Sequence, residues 1–460
     1  MIYRPLNLFV FIFLSSLLLA GCASKQPIAQ AENSRFAEIE ESPIETVEPK
    51  ITPKQNIAPE ETKLENKIFK ERIQTVLLDQ ALIANSLPII NLGSKEQLLL
   101  QFDDLSNNLA DYGYRIIHCD FNWEPSLLHE SEYMDGFTEN YISNYSYSLN
   151  TLVPYVHYEV LFPNDQLQLK KSGNYIIQVF EQNDMDQVVL QRRFFVLDNR
   201  VNVRMQAKTA TIVSEREESQ EVDFVIRTGD YKIDDPFFGL KVCVRQNRRW
   251  DNAITDLKPV FVRNDELDFN LDGPNTFKGG NEYRNADFRS LRFLGDQIAR
   301  FDTEDSISHV YLRTDPKRSF NYYSQLQDIN GERVINIQEG FKPSVEADYV
   351  WVHFTLPYSY EIEEDVYVFG ALSDWQLSPN FKMSYDEEKQ AYKLKVLLKQ
   401  GYYNYNYAIH SESGEIDETF FEGSHYQTEN QYHVFVYNKA MSSRYDELIG
   451  FNSVNSTNGF

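Results

Sequence analysis

Tyr112-Gly113-Tyr114-Arg115-Ile116-Ile117-His118 is the stretch whose reading decides the fold class. Successive side chains of an extended strand point to opposite faces, and the alternation here suits a half-buried strand. The same style recurs on both sides. Ile73-Gln74-Thr75-Val76-Leu77-Leu78 and Gln97-Leu98-Leu99-Leu100-Gln101-Phe102 precede it, the second running into Asp103-Asp104. Tyr155-Val156-His157-Tyr158-Glu159-Val160-Leu161-Phe162 follows and stops at Pro163-Asn164-Asp165. Tyr175-Ile176-Ile177-Gln178-Val179-Phe180 and Arg193-Phe194-Phe195-Val196-Leu197 complete the set, and only the segment after Glu124-Pro125-Ser126 reads as a helical turn. Short strands without long intervening helices predict an immunoglobulin-like or fibronectin-like sandwich.

Composition agrees with an all-β chain. Phe 31, Tyr 29 and Trp 4 bring the aromatic share to 14%, which favours strands. At roughly 150 residues per domain, 460 residues predict about three domains. Gly 19 and Pro 17 exclude a collagen-like or low-complexity chain. With 44 basic against 69 acidic residues the net charge is −25, which repels phosphate backbones and argues against nucleic acid as a partner. Cysteines stand only at 22, 119 and 243, so a disulfide framework is excluded.

Further strands are read at Val222-Asp223-Phe224-Val225-Ile226, Leu240-Lys241-Val242-Cys243-Val244, Leu267-Asp268-Phe269 and Val310-Tyr311-Leu312, with residues 289–299 as a short helix or strand pair. A last group comprises the strands around Val350, Val368, Leu394, Tyr405 and Val434. The expected division is three tandem β-sandwiches over residues 67–200, 201–343 and 344–460, the last of early-set type.

Ahead of them lies an export signal over residues 1–21. Arg4 supplies the charge, an apolar run too short to span a bilayer follows, and Leu19-Ala20-Gly21-Cys22 resembles a bacterial lipobox. By that resemblance Cys22 is the lipid-attachment residue. Neither Ala23 nor Ser24 is an inner-membrane retention aspartate, and no acidic cluster directly follows Cys22; both points favour the periplasmic face of the outer membrane. Residues 22–66 read as a disordered acidic tether with Pro27, Pro43, Pro49, Pro53 and Pro59 and no apolar periodicity that would bury a face. Such a segment has a mean reach of ~35–40 Å.

No catalytic motif is present: GxSxG, HExxH, a P-loop and GxGxxG are all missing, so the chain is read as a non-enzyme without cofactor. His118 and Cys119 are neighbours on a strand and point apart, which leaves Cys119 and Cys243 as small buried apolar residues. The histidines show no metal-ligand spacing, and Asp103-Asp104 and Asp234-Asp235 read as solvated turns. Trp123, the Arg249-Trp250 pair and the 279–284 loop with Gly279, Gly280, Asn281, Glu282 and Arg284 are expected at turns. Tryptophan and arginine exposed there are what protein interfaces favour, so these are the candidate partner contacts. Trp375, Tyr403 and Tyr405 lie in a unit similar to glycogen-binding modules and form a candidate sugar platform, the basis of an alternative reading as a glycan-binding lipoprotein.

In order along the chain, several segments resemble the plug proteins of the type IX secretion system. They include residues 92–105, residues 114–126 with His118-Cys119 and Trp123-Glu124-Pro125-Ser126, and Glu132-Tyr133-Met134-Asp135-Gly136-Phe137. Arg192-Arg193-Phe194, Arg249-Trp250-Asp251-Asn252-Ala253 and Gly279-Gly280-Asn281-Glu282-Tyr283-Arg284 continue the set. The resemblance implies a non-enzymatic gate that occludes the periplasmic end of a giant outer-membrane β-barrel translocon, its partner, while an acyl anchor holds it to the membrane.

Overall fold

Alternating apolar positions make each strand a two-faced ribbon that must cover one face, and the chain does so with three pairs of sheets. The structure is a computed structural model and describes residues 64–456 apart from 107, 183, 412 and 413. Cys22, the export signal and nearly all of the expected tether lie outside the described residues.

In the first sandwich, Gly173–Glu181 pairs antiparallel with both Val188–Leu197 and Tyr112–Cys119. Lys67–Ile68 and the parallel strand Ile89–Asn91 flank Val188–Leu197. The opposing sheet runs Ile73–Gln80, Leu98–Asp104, Val156–Phe162 and Asn144–Tyr147. Phe102, Tyr158, Phe162, Tyr175 and Phe194 fill the space between them. Leu127 to Met134 contains the expected helical turn at Glu130–Tyr133, where His129 and Glu132 form a capping box.

Chain order and sheet order then part. Ser219–Arg227 pairs with Asn202–Thr209, Glu266–Phe269 and Thr276–Lys278 on one side of the second sandwich. Its other sheet joins Leu240–Gln246 to Gln431–Asn438 and Glu447–Asn455, strands from the far end of the chain. The third sandwich lies between, over residues 284–417. Gly401–His410 pairs with Arg284–Asp287, Arg333–Ile335, Val366–Phe369 and Ile416–Asp417. It faces a sheet of Ile298–Glu304, Ile307–Leu312, Tyr349–Pro357, Ala391–Lys399 and Ser384–Asp386. A boundary at 343/344 therefore does not follow the sheets. Residues 284–343 pair with the third sandwich, and residues 431–455 return to the second.

Two local expectations change as well. Residues 289–297 are irregular, and a strand begins only at Ile298. Asp103 and Asp104 are not in a solvated turn: they end the strand Leu98–Asp104 and are fully buried. Among the described residues no helix is long and apolar enough to cross a membrane.

Candidate functional site at the sandwich junctions

Trp123 is turned inward by a loop that Asp120 builds. Its Oδ1 accepts from Asn122 N at 2.8 Å and Glu124 N at 3.1 Å, leaving Trp123 at φ +68°. The indole packs edge-on against Phe195 and against Trp250, the latter at 5.2 Å between centroids. Trp250 follows Leu240–Gln246 through Asn247 and Arg248, both at positive φ, so its ring folds back toward the first sandwich. The Arg193 guanidinium lies 4.4 Å from the Trp123 ring and 4.5 Å from Trp250, and Arg245 lies 3.9 Å from Trp250. Such cation–π contacts are strongest when desolvated, as here.

These residues are not the exposed contacts expected from the sequence. Trp123 and Arg249 are each 3% exposed. Arg249 is held by Asp251 at 2.6 Å and by Glu418 of the third sandwich. Gly279, Gly280, Asn281 and Glu282 are buried too. A Cβ on Gly279 would collide with the His425 carbonyl, Asn281 donates to Glu422 O at 2.8 Å, and burial pushes Glu282 up to about 7. Arg284 pairs with Asp315 at 3.1 Å and Glu422 at 3.0 Å. Turn residues of one sandwich are interior here because another sandwich packs on them.

The expected sugar platform is also closed. Tyr403 stacks on Phe288 at 5.1 Å, and the Tyr405 hydroxyl donates to Asp315 Oδ2 at 2.6 Å. Both rings are core, while half-buried Trp375 packs edge-on against Tyr283 and Phe369. Cys119 and Cys243 share one apolar cluster with Trp123 and Phe435, as small buried residues.

Sequence reasoning missed the polar links between sandwiches. Lys399 Nζ donates to Asp103 Oδ2 at 2.6 Å and to Ser344 O at 2.7 Å, and lies 4.1 Å from the Tyr155 ring. Asp103 also accepts from the Tyr349 hydroxyl at 2.7 Å and contacts His157 Nδ1 at 2.6 Å. Asp348 accepts from Leu152 N at 2.7 Å and Val153 N at 3.0 Å, and Arg192 pairs with Asp374 at 2.8 Å. First and third sandwiches are thereby joined by buried charge-assisted bonds, the strong kind. Tyr437 to Asn174 at 2.7 Å and Phe121 N to Asp446 at 3.1 Å join the first and second. Between second and third, Arg249 pairs with Glu418, while Glu422, one turn further on, accepts from Arg284, from Arg318 at 2.5 Å and from Tyr407 N at 3.0 Å within the third sandwich. Among the described residues no group of three His, Cys, Asp or Glu side chains is placed to hold a metal ion.

A family model described as the first domain of the type 9 secretion system plug protein matches residues 73–198, the span of the first sandwich. A crystal structure of a hypothetical protein from Parabacteroides merdae is similar over 85% of this chain and 99% of that one. Identity is 34% and the TM-score 0.83. The chain belongs to the type IX secretion system plug family. No functionally curated protein matches it. The plug-family model covers only the first sandwich. The Parabacteroides likeness reaches most of the chain, so the nested arrangement of second and third sandwiches sits within a shared fold.

Proposed function

We propose that this protein acts in type IX secretion as a non-enzymatic plug that closes the periplasmic end of the large outer-membrane β-barrel translocon. Acylated at Cys22, it would be held at the periplasmic face of the outer membrane by the acidic tether. The observation that carries the reading is the way three sandwiches of a plug-family chain are interlocked through the buried ion pairs Lys399–Asp103 and Arg249–Glu418 and the Tyr437–Asn174 hydrogen bond. A body that seals a wide mouth must keep its outline under load, and three separately hinged modules would not. A tether over residues 22–66, as expected from the sequence, would raise the local concentration of the body to about the millimolar range, so weak contacts would suffice.

With Trp123, Trp250 and the 279–284 loop used inside the body, contact with the barrel falls to exposed side chains. Phe341 at 95% and Tyr322 at 99% exposure are the most open of the large ones on the third sandwich. Pull-down from native membranes in mild detergent, using a C-terminal tag, tests the proposal. Recovery of one very large outer-membrane β-barrel is expected; an intact, membrane-bound protein that recovers no barrel would overturn it.

A further inference from the structure

At the meeting point of the three sandwiches lies a cavity of about 120 Å³, far above the ~10–15 Å³ a single water needs. Its lining is unusually cationic. Of its five arginines, Arg192 and Arg333 share Asp374 at 2.8 and 3.6 Å, and Arg248 faces Glu332 at 3.4 Å. That leaves Arg193 and Arg245 on either side of the balance. Both are nine-tenths or more buried, at 5% and 3% exposure, and among the described residues neither has a carboxylate within ion-pair distance.

Their donors are only partly used. Arg193 Nε and Nη2 donate to Leu64 O at 2.8 and 2.6 Å; Arg245 Nε donates to Arg249 O at 2.9 Å, and its Nη2 to Arg248 O. Nη1 of each has no acceptor among the described residues. Burial pushes Arg193 down to about 9 and Arg245 to about 10, the mark of cations without counter-charge. The remaining acid of the lining, Asp79, is itself pushed up to about 6 by burial.

An unpaired buried guanidinium is costly, and a planar fork with a vacant nitrogen is the group proteins use for oxyanions. We propose that this cavity binds a phosphate-type oxyanion, held by the free Nη1 groups of Arg193 and Arg245, both of which lie beside the Trp250 ring. Half-buried Asn85 and Arg248 also line it. Because Val76 and Asp79 come from the first sandwich, Arg245 and Trp250 from the second, and Glu332 and Asp374 from the third, an anion here would tie all three together. This goes beyond the plug reading and does not depend on it.

The test uses the full chain and inorganic phosphate as probe, with sodium chloride at matched ionic strength as control. Saturable broadening of the phosphorus-31 resonance, with a parallel saturable change in tryptophan fluorescence, is expected for phosphate and not for chloride. Arg245→Met should weaken the midpoint at least tenfold. Should that variant not fold, Asp79→Asn serves: it removes a lining carboxylate and should tighten the midpoint at least threefold. Absence of saturable broadening beyond the chloride control, or a midpoint unmoved in whichever variants fold, would overturn the proposal.

Discussion

Replacing Lys399 by methionine deletes the cation that joins the first sandwich to the third. Lys399 and Asp103 side chains are each 1% exposed and lie 2.6 Å apart, so neither can turn to water when its partner is lost. Removing one member of a buried pair leaves an uncompensated charge and costs about 3–5 kcal/mol. Asp103→Asn in the same background removes that stranded charge. The double variant should therefore cost less than the sum of the single ones, by about 1.5–3 kcal/mol.

His157 adds a pH signature. Burial pushes its pKa down, but its bonds to Asp103 and Glu159 outweigh this and hold it above the usual 6.5, while the Lys399 charge works against it. A raised folded pKa means stabilisation that is fully present below about 6.5 and lost as pH rises through the folded value. Without Lys399 the imidazolium becomes the main counter-charge of Asp103. Lys399→Met should then cost less at pH 6 than at pH 8.5. Urea unfolding at both pH values, with midpoint and slope fitted for all four proteins, reads this directly. A cost below about 1 kcal/mol, strict additivity, or a pH-independent loss would refute the reasoning.

Glu422 is wholly buried, and although burial alone would raise it, Arg284 and Arg318 hold it below the usual 4.5. Its stabilisation is present above about 4.5 and lost as pH falls through the lower folded value, so Glu422→Gln should cost about 3–5 kcal/mol at pH 7 and flatten the acid limb followed by near-ultraviolet dichroism. Gly331 sits at φ +79°, where a Cβ would run into the Trp375 and Tyr283 rings, so Gly331→Ala should cost about 2–4 kcal/mol by thermal unfolding. At Gly229, φ +55° with open space around it, the same change should cost only ~1 kcal/mol. Trp250→Ala should lose about 3–5 kcal/mol, whereas Phe341→Ala should stay within ~0.5 kcal/mol and act only on barrel co-purification.

Strand positions were legible because alternation is a local property. Tyr112–Cys119, Gly173–Glu181 and Gly401–His410 each bracket a run visible in the sequence, and Val156–Phe162 falls one residue short of its run. The all-β class follows from them, as does the burial of Cys119 and Cys243; the family resemblance rests instead on the ordered set of motifs from residue 92 to residue 284. Pairing was not legible. Nothing local tells Leu240–Gln246 that its neighbour is Gln431–Asn438, because the partner lies almost two hundred residues away and the pairing depends on which apolar faces the rest of the fold leaves uncovered.

The same limit explains the candidate site. Trp123, Trp250 and the 279–284 loop carry the residue types of an exposed interface, and they do form interfaces, but between sandwiches of one chain. A tryptophan beside an arginine has the same sequence whether the covering surface belongs to a partner or to the next domain. Asp103 looked like part of a solvated turn for a related reason: a carboxylate is costly to bury alone, and only the fold brings Lys399 to 2.6 Å from it. Composition and periodicity determined that this chain builds sandwiches. The tertiary structure decided which faces they hide from water, because burial depends on every surface that packs against a residue and not on its neighbours in the chain.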